Sequence, residues 1–309
     1  RGQGVLKEPP SRAEAGRDQG SIVCQSKAAF PSRPATQRRS GLSAPTVIRA
    51  FGKENPMETL MLTYHNSTEP DRDEEMHNWY NWVHIRDVAG MPGAITAVQR
   101  LGLDSAQPAG ADLSRKYLTI YEVADKTACS NGHTVLIGTR KLLISTAFDR
   151  ATFAEGYWDI VSGTAGFATY ADYKGDKSAL AVRLNGGAKV EAALGPKELA
   201  ELAAQPGFVA VHLTRRAEDQ QQNSAADTES ASHILVGQLD DSYLAAKSWD
   251  AFAAAKNLAA LDASPVIYKP IIDRFVAAQA KKSPEWAAIS FLSHAIMGCS
   301  PDAQAYPTK

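Results

Sequence analysis

Cysteines are few in this chain, and their spacing suggests no pairing. The 309 residues include only Cys24, Cys129 and Cys299, which are widely separated and form no CxxC pair. The sequence therefore indicates neither a disulfide framework nor a cysteine zinc site. This usage suits a reducing compartment, and we expect a cytoplasmic location.

An excess of charge of one sign and a long apolar run are also absent. The chain has 33 Lys and Arg against 34 Asp and Glu, a formal net charge of -1, and 44% hydrophobic residues. Nucleic-acid-binding domains carry a strongly basic surface, and a membrane-spanning helix needs roughly 20 consecutive apolar residues. We expect a globular protein with no nucleic-acid partner and no membrane span.

Several motifs that hold cofactors or nucleophiles are missing. There is no GxGxxG opening a helix after a strand, no GxxxxGK[ST], no HExxH and no GxSxG. Nucleotide cofactors, zinc-protease chemistry and α/β-hydrolase chemistry thus have no basis in the sequence. We expect no cofactor and no metal.

Residues 1–56 differ in composition from the rest of the chain. They carry a charge of +6 against -7 for the remainder, and they are rich in Ser, Pro, Gly and Gln without a sustained apolar period. Such a segment buries too little surface to offset its ordering entropy, so we expect a disordered leader or extension. An Arg- and Ser-rich organelle transit peptide is the alternative, and the folded part is expected to begin near Met57.

The next part of the chain has the order strand, helix, strand, strand, helical stretch, strand. Period-2 alternation and β-branched or aromatic content mark the strands, and a Pro-Gly pair ends the first helix. The elements are a strand at Leu60–Tyr64, a helix at Asp71–Met91, and strands at Ala94–Leu101, Tyr117–Val123 and Phe167–Tyr173.

The same order recurs in the second part, which makes a weak internal repeat. Pro92-Gly93 and Pro206-Gly207 lie 114 residues apart at the same point of the pattern. The elements are strands at Ala179–Leu184, Phe208–Thr214, His233–Leu239 and Val266–Ile272, with helices at Pro196–Ala204 and Trp249–Leu261. The segment 218–232 is expected to be a polar hairpin loop.

The βαββαβ order predicts an α+β protein made of two ferredoxin-like units. A four-stranded sheet with two helices leaves one face uncovered, so two such units can close into an intramolecular dimeric α/β-barrel. We expect a first unit at 57–177, a degenerate second unit at 178–280, and a C-terminal helix and tail at 281–309.

The first helix carries the most specific pattern. Residues 77–93, HNWYNWVHIRDVAGMPG, run into the strand AITAVQR. This resembles the dimeric α/β-barrel superfamily, particularly its EthD-like members, in which a helix bearing Trp-Tyr, three residues and His leads into a Pro-Gly turn and a strand ending in Arg. The resemblance implies a small-molecule pocket lined by the Trp-Tyr and His positions.

Helical geometry supports a site on this helix. At about 100° per residue, His77, Tyr80, His84 and Asp87 form one ridge beside an apolar one. An imidazole with an ordinary pKa of about 6.5 beside aromatic rings could move a proton of a flat ligand near neutral pH. The alternative is a core helix with hydrogen-bonded histidines.

We therefore predict one functional pocket per chain, in the first half. His84 is the expected general acid or base, and Tyr80 orients the ligand or donates a hydrogen bond to it. Arg100 on the following strand would need a carboxylate partner if it faces the covered side of the sheet. The expected substrate-binding residues are Trp79, Trp82, His77, His65 and Tyr121.

The function that we predict is a cofactor-independent enzyme of the lyase, dehydratase, cyclase or isomerase type. It would act on a small hydrophobic or aromatic molecule, as a monomer with an internal pseudo-dimer or as a homodimer. A non-catalytic binding protein and a cofactor-free monooxygenase are alternatives. A haem-dependent duplicated barrel using His212 or His233 is a further one, although neither residue lies in a haem signature.

Overall fold

A computed structural model describes residues 59–91, 94–138, 143–164, 177–217, 231–277 and 303–305. The predicted leader, most of the predicted polar loop, and the predicted C-terminal helix lie outside these ranges. The predicted strand Phe167–Tyr173 does so as well.

The first half of the described chain contains five strands and three α-helices, with a π-helical turn in the first helix. The elements are β1 (Thr59–His65), a 3-10 turn (Pro70–Arg72), α1 (Asp73–Trp79), the π-turn (Tyr80–His84), α2 (Ile85–Ala89), β2 (Ile95–Leu103), β3 (Tyr117–Val123), α3 (Lys126–Gly138), β4 (Leu143–Ser145) and β5 (Ala154–Gly163).

The second half follows with a similar succession. Its elements are β6 (Ala179–Leu184), α4 (Ala188–Ala193), α5 (Pro196–Ala203), β7 (Phe208–Arg216), β8 (His233–Leu239), α6 (Ser242–Ala255), a 3-10 turn (Leu258–Leu261) and β9 (Ser264–Val276). A short β10 (Ala303–Ala305) pairs with β4.

Eight strands close into one antiparallel barrel. Because helices also lie between these strands along the sequence, the chain is an α+β protein. The order around the barrel is β1, β3, β2, β9, β6, β8, β7 and β5. Within the first half, β1 lies between β3 and β5, and within the second, β6 lies between β8 and β9. The halves join through the pairs β2 with β9 and β5 with β7.

The strand beside β1 is one that the sequence pattern did not indicate. The stretch after β3 was expected to be partly helical, yet Ala154–Gly163 forms β5 and pairs with β1. Its inward positions include Ala154 and Trp158, which pack in the barrel interior, while Tyr157 faces the helices. The alternation is present, but small residues weaken its apolar signal.

The helix expected at Trp249–Leu261 begins earlier than predicted. It starts at Ser242 because Asp241 caps it, its carboxylate accepting a hydrogen bond from the Leu244 N–H at 2.9 Å. Such an acceptor satisfies one of the N–H groups that a helix start leaves unpaired.

Burial on both faces explains the apolar character of the strands. Leu60, Leu62 and Tyr64 point into the barrel, whereas Met61 between them points to the helix layer. A sheet covered on both sides needs apolar residues at successive positions rather than at alternate ones. Polar residues on these strands are therefore exceptions that call for an explanation.

The turn before β7 depends on glycine. Gly207 has a φ of 90°, and a Cβ atom there would lie 2.4 Å from the Ala245 nitrogen of α6. Only glycine combines this conformation with so close an approach.

Among the helices that the structure describes, none combines the length and the apolar character needed to cross a bilayer.

Candidate functional site

A π-turn interrupts the first helix where the site residues lie. The Ile85 N–H donates to the Tyr80 carbonyl, five residues back instead of four. This inserts one extra residue into the turn, so the inward face then continues at Ile85 and Val88 rather than at Asp87. The predicted ridge holds up to His84, and the shift removes Asp87 from it. Single π-turns inside α-helices occur frequently at functional sites.

The sheet face opposite this helix carries a polar row across four strands. Glu155 of β5 pairs with Thr63 of β1, Thr63 with Thr119 of β3, and Thr119 with Arg100 of β2. We call these four residues the polar row. Adjacent strands lie about 4.8 Å apart, so the backbone positions of its acidic and basic ends are about 14 Å apart.

Arg100 reaches from this row into the helix. Its guanidinium lies over the ring of Tyr80, 4.5 Å from the centroid, and 5.4 Å from that of Tyr117. Nη1 donates to the Asn81 amide oxygen. Nη2 lies 3.3 Å from His65 Nε2 and 3.4 Å from the Met76 sulfur. We call these six residues the Arg100 cluster: His65, Met76, Tyr80, Asn81, Arg100 and Tyr117.

The charge of Arg100 is buried without a counterion. The side chain is 0% exposed, and no carboxylate in the described ranges forms an ion pair with it. Burial lowers its pKa to about 10, which still leaves it protonated at neutral pH. The carboxylate partner expected from the sequence is absent from this cluster, where neutral groups surround the cation instead.

Tyr80 is the centre of the aromatic contacts. His65 stacks on its ring at 4.1 Å with an interplanar angle of 6°. His84 lies 4.7 Å from it, and Trp79 lies 5.0 Å from His84. The π-turn accounts for the last contact, because residues five apart come into line in such a turn.

The imidazoles of the site are held neutral. Burial, with neighbouring His133 and Arg100, lowers the pKa of His84 to about 3. Burial and Arg100 lower the pKa of His77 to about 4, and the same two causes lower that of His65 well below its usual value. The charged form of His84 is therefore less accessible near neutral pH than that of an unperturbed imidazole, because desolvation disfavours the charged ring.

The tyrosines of the site are held in the protonated form. Burial raises the pKa of Tyr80 and of Tyr121, and it raises that of Tyr117 to about 12 with a contribution from Asp73. Their hydroxyl groups are thus neutral hydrogen-bond donors at physiological pH.

Buried polar atoms without a hydrogen-bond partner are concentrated in this region. Native proteins pair most buried polar atoms, and each unpaired one costs about 1–3 kcal/mol. A concentration of them points to a site that polar groups of a ligand or ordered waters complete. Within the described residues, the unpaired atoms here include Thr63 Oγ1, His77 Nδ1, Tyr80 Oη, His84 Nδ1, Arg100 Nε, Thr119 Oγ1, Tyr121 Oη, His133 Nδ1 and Tyr157 Oη.

Most of the residues predicted from the sequence lie together in this region, and Trp82 does not. Its side chain is 46% exposed and packs on Arg86, whose guanidinium lies 5.6 Å from the ring centroid. The assignment of Trp82 to a pocket wall is therefore incorrect, since the helix turns it to solvent. The residues that do lie together are His65, His77, Trp79, Tyr80, His84 and Tyr121.

Sequence reasoning did not single out Thr63, Thr119 or Glu155. Thr63 and Thr119 alternate with apolar residues on β1 and β3, on the same face as His65 and Tyr121. Spacing by two along a strand could have shown the shared face. It could not have shown which strands are neighbours.

The histidines of the second half do not fit an axial haem ligand. His233 Nε2 lies 3.1 Å from Glu191 Oε1, and its Nδ1 lies 3.0 Å from Ser232 Oγ, so both nitrogens are engaged. The ring of His212 packs against Gly163, where even a Cβ atom would lie 2.6 Å from it. Across the described ranges, His, Cys, Asp and Glu side chains nowhere gather in a group of three that could hold a metal ion.

Comparison with known proteins gives matches in backbone only. No protein-family model and no curated protein sequence matches the chain. An anthrone oxidase-like protein shares 15% identity over 72% of this chain and 94% of its own, with a TM-score of 0.49. A candidate monooxygenase from Fusobacterium nucleatum shares 11% over 70% and 94%, with a TM-score of 0.41. Another from Lactobacillus acidophilus shares 9% over 71% and 99%, with a TM-score of 0.38.

Each of these three TM-scores is below 0.5, so these structures assign neither a family nor an activity to this chain.

Proposed function

We propose that this protein is a cofactor-independent enzyme of the EthD-like class, which transfers a proton of a small hydrophobic or aromatic molecule. The observation that carries the proposal is the set of unpaired buried polar atoms among aromatic rings between the first helix and the sheet. An aromatic surface with a few convergent polar groups is the usual character of a small-molecule site. The candidate site reaches solvent at His77, Asn81 and His84, which are partly exposed.

His84 is the proposed proton acceptor, since the neutral imidazole is the form that accepts a proton. Its burial opposes a lone imidazolium, but transfer from a ligand C–H leaves a ligand anion that pairs with the new cation. The Tyr80 and Tyr121 hydroxyls, held protonated by burial, would donate hydrogen bonds to that anion. Trp79 beside His84 would form part of the apolar wall.

The proposed architecture is a duplication of a ferredoxin-like unit, with units at 57–177 and 178–280. Its support is that, counting barrel strands alone, each half places its first strand between its third and its fourth: β1 lies between β3 and β5, and β6 between β8 and β9. We retain the flanking segments 1–56 and 281–309, a cytoplasmic location and a monomeric or homodimeric state as parts of the same proposal.

A proton-exchange experiment tests the role of His84. Aromatic small molecules are first screened for thermal stabilisation of the protein, since a ligand of the folded state raises its stability. NMR in D2O then follows exchange of an acidic C–H of each stabilising ligand. Replacement His84→Gln is expected to slow the catalysed exchange by about 10²-fold or more, the usual contribution of a positioned acid or base, while stabilisation by the ligand persists.

Trp82→Ala is the matched control from the exposed side of the same turn. It is expected to leave both exchange and binding unchanged. Exchange at the wild-type rate in folded His84→Gln would remove His84 from the mechanism.

A binding protein without turnover is the second candidate, and the low pKa of the imidazoles favours it. An imidazole of pKa about 3 is a weak base at neutral pH unless the ligand compensates its charge. A ligand that stabilises the wild-type protein but shows no catalysed exchange would support this candidate.

A further inference from the structure

The charge of Arg100 is surrounded by neutral contact groups. Its partners are an amide oxygen, a thioether, an imidazole nitrogen and two aromatic rings, and none of them carries a negative charge. Burying an ion without a counterion costs several kcal/mol, and apolar residues of similar volume often replace buried ions without loss of stability. A buried arginine that lacks a counterion, despite this cost, suggests that a bound ligand supplies the negative charge.

The groups that face Arg100 compensate its charge only in part near neutral pH, because Asp73 favours the charged form without forming an ion pair with it in the described residues. The three imidazoles have lowered pKa values and the tyrosines raised ones, so both kinds of group stay neutral. The acidic groups of the region are Asp73 on α1, whose Oδ1 accepts from Ser67 Oγ, and Glu155 at the far end of the polar row. The titratable groups around the guanidinium are thus His65, His77, His84, Tyr80, Tyr117, Tyr121, Asp73 and Glu155.

The contacts of Arg100 favour an oxygen anion on an aromatic ring. Nε has no partner in the described residues, and one Nη2 contact is to the Met76 sulfur, a weak acceptor that a stronger one can displace. A phosphate or carboxylate is strongly hydrated and loses much on entering so apolar a site. A phenolate or enolate spreads its charge over a ring, and the rings of Tyr80, Tyr117 and His65 offer flat surfaces to it.

We infer that Arg100 makes this site selective for the anion of an aromatic phenol or enol, whose oxygen accepts a hydrogen bond from the guanidinium. This rests on the proposed function and gives its ligand a chemical class. It also gives Arg100 a role in the proton transfer, because the anion left by deprotonation is the species that the guanidinium stabilises.

The probe for this inference is 4-nitrophenol, whose anion absorbs visible light while its neutral form does not. An opposite charge nearby shifts a pKa by about one unit or more, so the phenolate should bind about 10- to 100-fold more tightly than the phenol. Titration with the protein at constant pH should therefore increase the phenolate absorbance. The methyl ether, 4-nitroanisole, cannot ionise and reports binding of the aromatic ring alone.

Two variants and a control connect the preference to Arg100. Arg100→Met and Arg100→Gln are expected to abolish the 10- to 100-fold preference while 4-nitroanisole still binds. Arg100→Met should also unfold at the wild-type temperature or above it, which a purely structural arginine would not allow. Arg86→Gln removes a partly exposed arginine of α2 that lies outside the Arg100 cluster, and this variant should bind as the wild-type protein does.

The outcomes separate this inference from the proposed function. Equal binding of phenolate and phenol by the wild-type protein would overturn the inference while leaving an aromatic site. Retention of the preference in either folded Arg100 variant would overturn it as well. If neither 4-nitrophenol nor 4-nitroanisole binds, the aromatic site itself is refuted.

Discussion

The free energy of unfolding is expected to fall steeply as the pH is lowered from about 6.5 towards 4.5. In the unfolded chain each histidine titrates near pH 6.5. In the folded chain the pKa of His77 is about 4, that of His84 is about 3, and that of His65 is also well below its usual value. Throughout this window the unfolded state binds more protons, so stability is lost as the pH falls.

The expected slope is about 1.4 kcal/mol per pH unit for each histidine that stays neutral when folded. Since domains are stable by only about 5–15 kcal/mol, three such groups would bring the protein close to unfolding near pH 5. Carboxylates with lowered pKa values, such as Asp112 at about 2, lose their contribution at lower pH and do not produce this slope. Urea unfolding at pH 7, 6 and 5 measures the dependence.

The double variant His77→Gln/His84→Gln is the control for this prediction. Its slope should be smaller than that of the wild-type protein by about 1.4 kcal/mol per pH unit for each histidine removed. Equal slopes in the two proteins would show that these rings are protonated in the folded state.

Replacing the threonines of the polar row by valine is expected to stabilise the protein. Thr63 and Thr119 are buried, and in the described residues neither hydroxyl forms a hydrogen bond of good geometry, although that of Thr119 lies close to the Tyr80 hydroxyl. Valine has nearly the same shape and removes an unpaired polar atom that costs about 1–3 kcal/mol. The double variant should therefore gain about 2 kcal/mol or more in the free energy of unfolding.

A matched threonine of the second half provides the opposite expectation. Thr214 is equally buried, but its Oγ1 donates to the Ile234 carbonyl at 2.8 Å. Thr214→Val should therefore destabilise the protein by about 1 kcal/mol, the usual net value of a hydrogen bond. Destabilisation of the same size by Thr63→Val and Thr119→Val would mean that their hydroxyls are paired as well.

The proposed function accounts for these unpaired groups better than folding does. Active sites often retain residues that reduce stability, because activity requires them. The register of four neighbouring strands places the polar row in one line across the sheet, facing the first helix. Its members are Glu155, Thr63, Thr119 and Arg100. A ligand lying along this line would meet the two hydroxyls between an acidic and a basic end.

Much of the secondary structure could be predicted from local patterns. Tyr117–Val123 is rich in β-branched and aromatic residues, and it forms β3 with those bounds. The helix before the first Pro-Gly pair was also expected, but its π-turn was not. An inserted residue depends on how the helix packs, and nothing in the local pattern marks it.

The candidate site could be predicted only in part. The Trp-Tyr and His positions of the first helix pointed to Trp79, Tyr80 and His84, which do lie together. The same pattern assigned Trp82 to the wall, because periodicity does not tell which side of an aromatic helix meets the sheet. Arg100 was recognised as a residue that needs a partner, but the neutral character of its surroundings follows from burial alone.

The balanced charge, the positions of most strands and helices, and the concentration of aromatic and imidazole groups in the first half can be read from the sequence alone. These follow from composition and from short-range periodicity, which act within one element. The three-dimensional fold was needed to show that β5 lies beside β1, that four polar residues share one row, and that an arginine is buried without an ion-pair partner in the described residues. Strand register and burial join residues as far apart as Thr63 and Glu155, and they set the charge of a group through its desolvation, which no local pattern contains.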